Sequence, residues 1–164
     1  MGLRVQVVRA VPAPVGSRFV RSTVEACAAV AEVAARLPEG DLELAVRLTG
    51  DRELRRLNRA YLGLDEVTDV LAFPSASAPW PGAAASGEAG HLGDIALSVP
   101  AALRQAEAYG HPAQAEAALL CVHGFLHLLG WDHAEPAEEV EMNRLTALAL
   151  ARVGVTLAAG RLAT

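Results

Sequence analysis

Three histidines in the C-terminal half of the sequence have the residue type and the spacing of metal ligands. His123 and His127 are four residues apart, so on a helix they share one face and lie about 6 Å apart along the axis. Gly130 follows the helical run and provides a left-handed residue that turns the chain back. His133 can then approach the same point from outside the helix. Three neutral imidazoles with an open fourth position would form a catalytic zinc site rather than a closed structural one.

The spacing of these histidines is that of the metzincin proteases, in which a glutamate beside the first histidine is the general base. Gly124 occupies the position of that glutamate, so a metallopeptidase is an alternative that needs a base from elsewhere. Cys121 lies two residues before His123, about 200° around a helix, and we expect its thiol to face away from the metal and pack in the core. The isolated His91 and His111 are more typical of structural positions.

Length, composition and charge limit the classes of protein. The 164 residues, with 52% hydrophobic residues, suffice for one domain with a sizeable core. The formal net charge of −5 argues against a protein that coats nucleic acid non-specifically, although a local basic groove is compatible with it. Two cysteines and no apparent signal peptide favour a reducing, cytoplasmic location. No apolar run is long enough to predict a membrane span.

Hydrophobic periodicity predicts the element order βαβαββ followed by three helices. The expected fold is α+β, a single domain over residues 1–164 with a four-stranded mixed β-sheet, packed helices and a central metal-bearing helix. Residues 154–164 are predicted to form a frayed tail, and residues 75–90 a flexible surface loop or lid, or else a variable insertion. The predicted strands span residues 3–9, 41–49, 67–73 and 93–99. The predicted helices span residues 17–37, 51–61, 113–129 and 137–153, with one more beginning at residue 100.

The predicted helix over residues 51–61 carries the densest basic patch of the sequence, which includes Arg56 and Arg59. Such a run is most often a solvated helix face. The functional interpretation is a surface that contacts the phosphates of RNA. Both interpretations remain open from the sequence alone.

Three aspartates are weaker candidates for catalysis. Asp132 is next to His133 and could orient a metal ligand or act as a base, although a turn or capping role explains it equally well. Asp69 and Asp94 lie in predicted strands, where a hydrogen bond at a strand end is the favoured interpretation.

With these segments placed, the chain resembles the YbeY family of bacterial endoribonucleases. The histidine segment is its most specific part, and the resemblance covers most of the chain from residue 57 to about residue 142. Two positions depart from the family pattern: Leu62 stands where the family has an arginine thought to face the cleft, and Ala72 where it commonly has serine. Arg59, about one helical turn earlier, could provide the missing charge. The matching segments are Leu57-Asn58, Tyr61, Thr68-Asp69-Val70-Leu71, Phe73-Pro74, Leu92-Gly93-Asp94-Ile95, His123-Gly124, Leu126 to Gly130, Asp132-His133 and Met142.

The resemblance implies a metal-dependent, single-strand-specific endoribonuclease in late processing of small-subunit (16S) ribosomal RNA and in ribosome quality control. It implies one zinc ion per chain on His123, His127 and His133, although imidazoles also accept other divalent metals. The implied partners are ribosomal RNA and the small ribosomal subunit, with a ribosomal protein or a GTPase as assistant. A non-enzymatic assembly factor with a structural metal is the alternative, and such a site would melt with chelator.

Overall fold

Four strands and six helices make up the part of the chain that the structure, a computed structural model, describes: residues 2–74, 90–158 and 160–162. In chain order they are β1 (Leu3–Arg9), α1 (Ser17–Ala28), α2 (Ala31–Ala34), β2 (Leu42–Thr49), α3 (Asp51–Leu62), β3 (Val70–Pro74), β4 (His91–Ser98), α4 (Val99–Tyr109), α5 (Ala113–Leu128) and α6 (Pro136–Arg152).

These strands form one mixed sheet in the order β1-β2-β4-β3. β1 and β4 pair with β2 in parallel, and the edge strand β3 pairs with β4 in antiparallel orientation. The α+β class, the mixed four-stranded sheet and the order of strands and helices are thereby confirmed.

The alternation of apolar and polar residues gives the sheet two different faces. On one face, Leu44 and Val46 of β2 and Ile95 of β4 join the main core, which also contains residues of α1, α5 and α6. On the other face lies a smaller cluster, through which α3 covers β3 and β4. That cluster consists of Leu54, Leu57, Leu71, Phe73 and Ala96. The main core contains Phe125, Leu126 and most other buried residues of α5, so α5 lies at its centre, as predicted.

Two predicted elements have different limits in the structure. The helix predicted over residues 17–37 breaks between α1 and α2, because Val30 adopts an extended conformation with φ −65° and ψ 130°. The break leaves both Val30 and Val33 buried. The strand predicted from Val67 begins only at Val70, since pairing with β4 starts at Val70 opposite Leu97.

The buried face of α6 differs from the one that helical periodicity predicts. The apolar spacing of residues 137–153 predicts a buried stripe that contains Val140, Asn143 or Arg144, Ala147 and Ala151, but Val140 is 55% exposed. Met142, Leu145 and Ala149 are buried instead. The sequence of α6 offers apolar residues on more than one face, and the contacts with α1 and α5 select this one.

The chain after α6 does not behave as the predicted frayed tail within residues 154–158 and 160–162. Val155 N donates to Leu150 O at 3.0 Å, which turns the chain back at the end of α6. Asn143 Nδ2 donates to Leu162 O at 3.0 Å, and Leu157 and Leu162 pack against the main core. We call residues 155–162 the C-terminal segment.

The loop or lid predicted for residues 75–90 lies, apart from Gly90, outside the described residues. Among the described helices, none combines the length and the apolar character needed to cross a membrane.

Candidate metal centre

The helix that carries the first two histidines, α5, lies directly on the sheet because Gly124 has no side chain. A β-carbon at position 124 would lie 2.8 Å from Ile95 Cγ2 and 3.1 Å from Val70 Cγ2, closer than packed carbon atoms normally approach. Position 124 therefore faces the sheet and has no room for the glutamate base of a metallopeptidase. Cys121 is buried, as predicted.

The end of α5 directs the chain back toward the histidines. Gly130 adopts φ +100°, and its amide donates to His127 O at 3.0 Å. Trp131 N donates to Leu126 O at 3.0 Å. These two bonds form a Schellman motif, which ends a helix with a left-handed residue. The turn places the ring of His133 with its centroid 5.0 Å from that of His127.

His123 lies one helical turn before His127 and borders a cavity of about 240 Å³. Its Nε2 atom is inaccessible to solvent and has no hydrogen-bond partner among the described residues. An imidazole nitrogen left without a partner is costly, and a bound metal ion would provide that partner. The residues lining the cavity are His123, His133, Glu139, Met142, Asn143, Arg161 and Leu162.

The surroundings of His123 and His127 keep both imidazoles neutral at pH 7. Burial, assisted by the nearby His127, lowers the pKa of His123 to about 4. Burial is also the main cause that lowers the pKa of His127, followed by the neighbouring His133. A neutral imidazole is the form that donates its lone pair to a metal ion.

The donor set fits a zinc ion in its chemistry: neutral imidazoles, one with a buried nitrogen that lacks a partner. However, no three or more His, Cys, Asp or Glu side chains within residues 2–74, 90–158 and 160–162 are grouped so that they could hold a metal ion. The three-histidine ligand set of His123, His127 and His133 therefore stays a prediction, supported by the chemistry of its donors.

The aspartates predicted as weaker candidates have polar contacts with other protein groups. Asp132 Oδ1 accepts from His133 N at 2.7 Å, which is a turn role. Asp94 Oδ2 lies 3.2 Å from His91 Nε2, both side chains being buried. Asp69 Oδ2 accepts from Gln105 Nε2 at 3.1 Å. These contacts match the structural interpretation of each aspartate, and a catalytic role for Asp132 stays untested.

The basic patch lies on the opposite face of the sheet from α5. Arg56 makes a long contact of 3.4 Å with Glu53, and Arg59 is exposed. Neither arginine lines the cavity beside His123. Their contact with RNA stays a prediction, and it would not involve the lining of that cavity.

The cavity has two charged residues, Glu139 and Arg161, that were not predicted as site residues from the sequence. Glu139 stands in the first turn of α6, where an acidic residue complements the helix dipole. Because this role explains the residue type by itself, the sequence does not indicate that Glu139 lies beside the histidines. Arg161 belongs to the segment that was predicted to be frayed. Its one sequence signal is the run of apolar residues around it, which is compatible with packing.

Comparisons with known proteins agree with this architecture. Residues 13–154 match the family described as endoribonuclease YbeY. Proteins of that name from Moorella thermoacetica and Roseiflexus sp. are 41% and 40% identical, covering 87% and 90% of this chain and 91% and 93% of their own. Another from Brevibacillus brevis is 44% identical, over 76% of this chain and 83% of its own. The solution structure of a Thermotoga maritima protein is similar in fold, with a TM-score of 0.56, 23% identity, and coverage of 91% of this chain and 88% of that one.

Proposed function

Since the chain belongs to the endoribonuclease YbeY family, we propose that it is a metal-dependent endoribonuclease that cuts single-stranded RNA, with small-subunit (16S) ribosomal RNA as its substrate. The family supports the endoribonuclease activity itself. The metal, the strand preference and the ribosomal substrate rest on the resemblance and on the chemistry of the cavity.

The observation that carries the metal-dependent part is the buried, unpartnered Nε2 of His123 beside the cavity it shares with His133. His123, His127 and His133 would hold one zinc ion. Such an ion lowers the pKa of bound water to about 7 and polarises a phosphoryl oxygen, as phosphodiester hydrolysis needs. The protein contributes neutral imidazoles, a turn that fixes His133, and a cavity wall from α6.

The expected partner is the small ribosomal subunit, with a ribosomal protein or a GTPase as assistant. The corresponding site of action is the cytoplasm, where this RNA is assembled with protein.

Cleavage of a single-stranded ribosomal RNA fragment by purified, zinc-loaded protein tests this function. We expect cutting that is lost in the His127→Ala variant and after chelation, with the chelated protein still folded by circular dichroism. Readdition of zinc should restore cutting to the chelated wild type but not to the variant. Absence of cutting by folded, metal-loaded wild type would favour an assembly factor, particularly if chelation also melts the protein.

A further inference from the structure

Arg161, in the C-terminal segment, is held in one orientation by the buried carboxylate of Glu116 in α5 and by side chains of α4. Its Nε donates to both carboxylate oxygens of Glu116 at 3.0 and 3.1 Å, and Nη2 donates to Glu116 Oε1 at 2.9 Å. Nη2 also donates to Gln105 Oε1 at 3.2 Å. The guanidinium carbon lies 4.7 Å from the ring centroid of Tyr109. Glu116 is fully buried, and the Arg161 side chain is 16% exposed.

The same arginine borders the cavity beside the histidines. It is the one cationic side chain among the described residues that line the cavity together with His123 and His133. The guanidinium is therefore near the place where the reacting phosphate would bind.

The hydrogen bonds of Arg161 leave part of the guanidinium available. Nε and Nη2 are engaged, whereas Nη1 donates to no acceptor in the described part of the chain. An arginine carries five N–H donors in a fixed plane. With Glu116 holding one edge of that plane, the N–H groups of Nη1 remain for an anion.

We propose that Arg161 is a phosphate-contacting residue of the RNA site, oriented by Glu116 and donating from Nη1 to an oxygen of the phosphodiester bound beside His123 and His133. This role rests on the proposed function. An arginine held by a buried carboxylate needs no reordering when the phosphate arrives, and such preorganised donors are the effective ones in phosphoryl chemistry.

The competing explanation is that Arg161 only fastens the C-terminal segment to α4 and α5. The two explanations differ in which variant loses a phosphate contact. If the ion pair only attaches the segment, removing either Glu116 or Arg161 should have the same effect on RNA binding. If Arg161 contacts a phosphate, that contact is lost only when the charge of Arg161 is lost. The Glu116→Gln change keeps an acceptor for Arg161 and keeps the charge of Arg161.

The test is binding of a fluorescent single-stranded RNA to chelated protein over a series of salt concentrations, followed by kcat and KM of the zinc-loaded protein. For Arg161→Gln we expect binding weaker by roughly tenfold, from loss of a charge-assisted hydrogen bond. We also expect the slope of log K against log salt to become shallower by about 0.7 for one lost phosphate contact. Arg161→Lys should retain the slope. Glu116→Gln should retain it as well, because Arg161 keeps its charge in that variant, even where the affinity falls through loss of orientation. Arg152→Gln, an exposed change of equal charge at the end of α6, should have little effect.

The outcomes separate this inference from the proposed function. If wild type cuts and binds RNA while Arg161→Gln keeps the wild-type salt slope, the phosphate contact is excluded and the nuclease stands. If Glu116→Gln makes the salt slope as shallow as Arg161→Gln does, the loss comes from detachment of the C-terminal segment, and the inference is also overturned. If wild type neither binds nor cuts RNA, the proposed function and the inference fail together.

Discussion

Gly124 lies so close to Ile95 that an added β-carbon would stand 2.8 Å from Ile95 Cγ2. In a metallopeptidase this position carries the general base. In this protein, position 124 is the point at which α5 packs against the sheet. The distance between α5 and β4 is thus set by a missing side chain.

Gly124→Ala should therefore destabilise the protein even though alanine favours a helix. We expect a loss of about 1–2 kcal/mol in the free energy of unfolding, an overpacking cost reduced by the gain in helix propensity. Denaturant unfolding measures it. In an Ile95→Ala background the contacted methyl group is absent, so the same change should cost less; an equal cost in both backgrounds would show that the contact is irrelevant.

His123→Leu should separate stability from metal binding. Because Nε2 of His123 is buried without a partner, an apolar side chain there should raise the free energy of unfolding of the chelated protein by about 1 kcal/mol. Zinc at a hundredfold excess over its Kd should stabilise wild type by about 2.7 kcal/mol and the variant not at all. Denaturation with and without zinc measures both effects. If zinc stabilises His123→Leu as much as wild type, His123 is not a ligand.

The ion pair between Asp51 and Arg104 should make stability depend on acid pH. The hydrogen bond from Arg104, at 2.8 Å, holds the pKa of Asp51 below its ordinary value, and Ser98 assists while burial opposes. A carboxylate with a lowered folded-state pKa stabilises the protein above its unfolded pKa of about 3.9, and this contribution disappears as pH falls through the folded-state pKa.

We therefore expect Asp51→Asn to cost about 0.5–1 kcal/mol near pH 6, a value discounted because Arg104 is exposed to solvent. The difference from wild type should shrink as pH falls below the unfolded pKa of about 3.9 and disappear below the folded-state pKa; denaturant unfolding across pH measures it. Glu107→Gln, at an exposed position of α4, is the control and should show no such trend. A difference that is constant with pH would exclude the ion pair as its cause.

Asn143 should control how firmly the C-terminal segment is attached, because Asn143 Nδ2 donates to Leu162 O. In Asn143→Ala we expect trypsin to cut after Arg161 several-fold faster, since attached chain ends resist proteolysis. Mass spectrometry follows the cut, and cleavage after Arg59 in α3 is the internal control. Equal acceleration at both sites would mean that the variant loosens the whole protein.

The part of the site that could be predicted from the sequence is local along the chain. His123, His127 and Gly130 lie within one helix and its end, where a four-residue spacing and a turn glycine have direct geometric meaning. The strands followed from alternation of apolar residues in the same way. Cys121 was assigned to the core by its angle around α5.

What could not be predicted depends on contacts distant in sequence. Arg161 donates hydrogen bonds to Glu116, which is 45 residues earlier in the sequence. The residues next to each of them give no signal from which this contact could be predicted. A single arginine after a glycine resembles a solvated chain end. Likewise, the buried face of α6 was chosen by its neighbours, since Met142 and Val140 are equally plausible core residues when the helix is considered alone.

The division of the apolar residues between the two faces of the sheet has a consequence for native-state motion. α3 is attached through a cluster of only five buried residues, while α5 shares the main core with many more. Local opening costs least where few buried contacts must break. Amide exchange in α3 and β3 should therefore be faster than in α5, which carries His123 and His127.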